Sequence, residues 1–86
     1  MERQDVINKL TGFLRKALAN KDAEITPEAN FVDDLGLDSA GHLEFFLMLE
    51  EEYGIEYEDE DEEEEAREAM KSLNDAADLV LKKAGS

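Results

Sequence analysis

The sequence predicts an all-α protein: a small four-helix bundle with a long loop between helices 1 and 2 and a short third helix. Three observations carry that expectation. Apolar residues recur at helical spacing in separate segments, no stretch alternates with the period of a half-buried strand, and no internal repeat is visible. The 86 residues suffice for a single domain over 1–86. Without cysteine, its stability must come from packing rather than from disulfides or thiolate-bound metal.

Val6, Ile7, Leu10, Phe13, Leu14, Ala17 and Leu18 make one apolar stripe, which predicts an amphipathic helix over roughly residues 3–19. Asn20 and Lys21 suit its end. The stretch "DAEITPEAN" then reads as loop, with Pro27 removing a backbone donor and pushing Thr26 towards extended geometry. Ile25, Phe31, Val32, Leu35 and Leu37 are apolar without a steady period, the pattern of a loop pinned to the core at intervals, and Gly36 offers a turn.

A second helix is expected from Asp38 or Ser39 to about Tyr53, with either residue able to cap it and Gly54 ending it. Phe45, Phe46, Leu49 and Tyr53 would face inward. Ser39, Leu43 and Leu47 fall at four-residue intervals on one strip, and His42 is expected to be an exposed polar residue of the first turn. Eight consecutive acids follow, Glu58 to Glu65. Like charges four apart repel on a helix, so a third helix over roughly 60–70 should fray at its start. Arg67 and Lys71 relieve its second half, and Ala66, Ala69 and Met70 give it an apolar edge. The last helix opens on a capping-box-like Ser72…Asp75, buries Leu73, Ala76, Ala77 and Val80, and ends with Lys82 and Lys83 at the negative end of its dipole.

Charge narrows the function. The net value is −15, and residues 22 to 66 hold 19 acids and no Lys or Arg. Such a field repels nucleic acid and anionic membrane surfaces and attracts basic protein partners. No segment approaches the roughly 20 apolar residues of a membrane span, and the charged start "MERQDVINKL" is unlike a signal peptide. A soluble, cytoplasmic monomer is expected.

Two kinds of chemistry are poorly supported. Ser39 and His42 are neighbours on a helix, yet a serine nucleophile needs a held base, an oxyanion hole and an enclosed site, for which so small a bundle has little room. No enzymatic activity is expected. The run "EDEDEEEE" lacks the glycine and the spaced ligands of a calcium loop, so no dedicated metal site is expected. The residues alone leave two readings of Ser39, a plain helix cap or a hydroxyl that another enzyme modifies.

The segment "ITPEANFVDDLGLDSAGHLEFFLMLEEEYGIE", residues 25–56, resembles the central motif of acyl carrier proteins, and "SLNDAADLV" is more loosely similar to the family's last helix. The resemblance implies that Ser39 bears 4′-phosphopantetheine, added from coenzyme A by a phosphopantetheinyl transferase, whose thiol carries an acyl group as a thioester. It also implies a partner face on the second helix. Asp38, Glu44, Glu50 and Glu51 would form a negative rim, with Leu43 and Leu47 as apolar contacts, for acyl-processing enzymes with basic docking patches. For Leu43 and Leu47 a wider core stripe is the competing assignment. Phe45, Phe46 and Leu49 would line the space for a folded-back acyl chain. Ala40 stands where the family usually has Leu, Gly41 where it commonly has an acid, and Glu58 where many members have Pro; about five extra residues extend the third-helix region. These departures leave both a housekeeping carrier of fatty acid synthesis and a specialised one open. An aminoacyl or peptidyl carrier, and an unmodified acidic interaction module, are the alternatives.

Overall fold

Residues 1–84 are described by a computed structural model. They form four helices, α1 (Arg3–Ala17), α2 (Ser39–Tyr53), α3 (Glu60–Ala69) and α4 (Leu73–Ala84), and no strand among the described residues. The all-α bundle with a long first loop and a short third helix is thus the observed architecture. Helices α1, α2 and α4 pack against one another, and α3 lies outside them with no fully buried residue.

The core follows the stripes read from the sequence. Val6, Ile7, Leu10 and Leu14 of α1 meet Phe45, Phe46 and Leu49 of α2 and Leu73, Ala76, Ala77 and Val80 of α4. Helix α1 ends two residues earlier than expected, but Leu18 stays buried as its C-cap and its N–H bonds the Leu14 carbonyl at 2.9 Å. Lys21 folds back so that its ammonium donates to the carbonyls of Arg15 and Lys16, two of the acceptors a helix end leaves unpaired. Arg3 binds Asp78 at 2.7 Å and thereby ties α1 to α4.

The long loop is held where its apolar residues meet the core. Phe31, Leu35 and Leu37 are buried, and the Phe31 ring sits edge-on to Phe45 with centroids 5.3 Å apart. Val32 does not join them; it is 60% exposed. Two backbone bonds stitch the loop to the α3–α4 connection and the first turn of α4: Phe31 N–H to the Lys71 carbonyl at 2.8 Å, and Asn74 N–H to the Pro27 carbonyl at 2.9 Å. Gly36 and Gly54 have positive φ, at 70° and 61°, and Gly54 closes α2 as a left-handed cap.

The acid run is helical from Glu60, and its first two residues, Glu58 and Asp59, lie outside the helix. The Asp59 side chain accepts the Glu62 N–H at 2.8 Å, and Glu60, Asp61, Glu62 and Glu63 occupy the first turn. Carboxylates there face the positive end of the dipole, which offsets part of their mutual repulsion. Lys83 of α4 pairs with Glu62 and lies 5.1 Å above the Tyr57 ring, itself stacked on Phe46. Ala66 is half-buried and Met70 buried, whereas Ala69 is exposed and belongs to no apolar edge.

Candidate functional site

The site is the first turn of α2. Asp38 is its N-cap: Oδ1 accepts the Gly41 N–H at 2.7 Å, and the Asp38 carbonyl accepts the His42 N–H at 2.9 Å. The two candidate caps are thereby separated, because Asp38 holds the helix end and Ser39 is the first helical residue. Ser39 and Ala40 are exposed. A serine hydroxyl thus faces solvent at the positive end of a helix, next to first-turn amides that have no intrahelical acceptor.

Gly41 is buried directly beneath it. A Cβ at this position would lie 2.8 Å from Leu37 Cδ1, 3.0 Å from the Ala17 carbonyl oxygen and 3.0 Å from Asp38 Oδ1. The absent side chain lets α2 approach the end of α1 closely, a role the sequence reading did not anticipate. His42 is not the exposed polar residue it was expected to be. It is half-buried, its ring 6.0 Å from Phe31 and edge-on to it, and its Nε2 lies 2.8 Å from the Met70 carbonyl oxygen. Because a carbonyl only accepts, Nε2 carries the hydrogen of this bond. His42 therefore joins the first turn of α2 to the C-terminal end of α3.

An open groove of about 740 Å³ runs along this turn, its walls including Val32, Leu37, Ser39, His42, Leu43 and Arg67. Exposed Val32 and Leu43 give it apolar surface, Asp38 is the one acid among its walls, and Arg67 supplies the only Lys or Arg.

Within the expected partner face, Leu43 and Leu47 are 42% and 51% exposed, so they do not belong to a wider core stripe. Asp38, Glu44 and Glu51 are exposed beside them. Glu50 is different. It is half-buried against α3; desolvation pushes its carboxyl up to about 7, the facing Glu63 carboxyl adds to the rise, and Arg67 opposes it. Phe45, Phe46 and Leu49 are at most 1% exposed and fully packed in the core.

A small all-α bundle that displays one serine at the head of an acidic helix is compatible with a protein that bears a prosthetic arm. The family model described as the phosphopantetheine attachment site matches residues 8–62. An acyl carrier protein of Solidesulfovibrio magneticus is 41% identical over 63 residues, covering 73% of this chain and 74% of that protein. An acyl carrier protein of Thermosynechococcus vestitus is 30% identical over 83 residues, 96% of both chains. The chain belongs to the acyl carrier protein family, whose cofactor is 4′-phosphopantetheine. No described helix is long and apolar enough to cross a membrane.

Proposed function

We propose that Ser39 is the residue to which 4′-phosphopantetheine is joined, and that α2 presents the loaded arm to partner enzymes. The observation that carries this reading is the exposure of Ser39 immediately after a capped helix start, on a groove that suits the group. An anionic phosphodiester fits the helix's positive end and the nearby guanidinium, and the apolar-and-amide arm fits walls of Val32, Leu37 and Leu43. Ser39 Oγ supplies one ester oxygen of that phosphodiester, so no side chain of the protein has to react afterwards. When bound, the group contributes a terminal thiol, which a chain without cysteine lacks, and holds acyl intermediates as thioesters.

The residues around Ser39 have separate tasks. Asp38 fixes the helix start, and Gly41 seats it on α1. Leu43 and Leu47 offer a small apolar contact, ringed by Asp38, Glu44 and Glu51 with Glu50 at the α3 side. Such a face draws in basic docking patches quickly and lets them go, because long-range charge speeds encounter without a large buried interface. A phosphopantetheinyl transferase and acyl-processing enzymes are the partners, and the tether raises the local concentration of cargo at each. The carrier itself catalyses nothing in this scheme. The acyl reading is preferred over an aminoacyl or peptidyl carrier because both similar proteins are acyl carriers and α2 is strongly acidic.

Intact mass before and after incubation with coenzyme A and a broad-specificity transferase tests the assignment. One arm should be added to the wild type and none to Ser39→Ala, whose circular dichroism should be unchanged because the side chain is exposed. Loading of the variant, or an unloaded wild type with an enzyme that loads a control carrier, overturns it.

A further inference from the structure

Arg67 stands apart in a strongly acidic molecule. Like most of the described Lys and Arg side chains it makes no close ion pair, and it only opposes the rise at Glu50 from a distance, but it is the one Lys or Arg among the walls of the Ser39 groove. It is half-buried in the last turn of α3 and forms the wall of the Ser39 groove opposite α2. Its place there is set by the serine's own helix turn: His42, three residues beyond Ser39, bonds the Met70 carbonyl, and Met70 N–H bonds the Arg67 carbonyl at 3.3 Å. Moving α2's first turn therefore moves the backbone that carries Arg67.

We propose that Arg67 is an internal ligand for the phosphate of the arm on Ser39, clasping the arm along the α2–α3 groove while no enzyme is docked. The chemistry suits the residue. A guanidinium is permanently charged and pairs with two phosphate oxygens at once, which a lone ammonium does not. The pair would sit at a partly wet groove mouth, where exposed ion pairs shift populations by roughly two- to fivefold. Such a clasp yields readily to a partner's own cations. The inference rests on Ser39 being the attachment point.

The test compares apo and holo protein by nuclear magnetic resonance, with loading checked by intact mass. The Arg67 Nε–Hε signal should shift on loading and return towards its apo position at high salt, because such a pair is screened. The arm's ³¹P signal should relax more slowly in holo Arg67→Gln, with Arg67→Lys partly restoring the wild-type rate. A fully loaded wild type with an unmoved Arg67 signal overturns the clasp and leaves the attachment assignment standing; this arm needs no variant to fold. Absence of loading overturns both.

Discussion

Gly41 lies between two opposing effects. Helix propensity alone favours alanine there by roughly 1 kcal/mol, which is the whole of what the sequence offers. The contacts reverse the sign: Leu37 can turn its Cδ1 away from an added methyl, but the Ala17 carbonyl at 3.0 Å is backbone and has nowhere to go. Overpacking costs about 1–3 kcal/mol, so Gly41→Ala should be destabilised, by a net of about 1 kcal/mol, and urea denaturation will show it as a lowered midpoint. An increase in stability would mean that the α1–α2 approach is looser than described. The place of Ser39 at the head of a helix was legible because the motif around it is local in sequence. His42 was not, because its partner is a carbonyl 28 residues away, beyond the reach of any spacing rule. Val32 misled for the opposite reason: its neighbours Phe31 and Leu35 are core residues, and an aperiodic loop gives no face from which to separate them.

Helix boundaries were readable where a side chain or glycine terminates the backbone pattern. Asp38, Gly54 and Ser72 all serve such ends; Ser72 Oγ accepts the Asp75 N–H at 3.2 Å, and Asp75 answers by accepting the Lys71 N–H at 2.9 Å. At the start of α3 the Asp59 cap and the helix dipole work against the side-chain repulsion that the sequence shows. Between α2 and α3, Glu50 faces Glu63, Arg67 and Tyr57, an arrangement that no single helical period reveals. Its folded carboxyl titrates at about 7 instead of 4.5, so the folded state holds a proton that the unfolded chain has released. The stabilisation from this group is complete below about pH 4.5 and is lost as pH rises through 7. Melting temperature should therefore fall across that window. Glu50→Gln, neutral throughout, should show a shallower fall and melt above the wild type at pH 8. Parallel wild-type and variant curves would remove Glu50 as the cause.

For the molecule as a whole, the excess of negative charge is set by composition, and was legible at once; where it acts depends on the fold. With a net charge of −15 and few cations to offset it, added salt or millimolar divalent cation should raise the melting temperature by screening the repulsion between α2 and α3. A melting temperature indifferent to both would contradict this. Fold class and helix order came through from periodicity, whereas the choice between core and surface for Leu43 and Leu47 needed the packing of α1 and α4 to show that the core closes without them. That same closure leaves α3 with no fully buried residue of its own, held by half-buried Ala66, by its buried C-cap Met70 and by the links from His42 to Met70 and Lys83 to Glu62. With none of its own residues fully buried, unlike the other three helices, α3 should open first, and its amides should exchange with deuterium ahead of those of α1, α2 and α4.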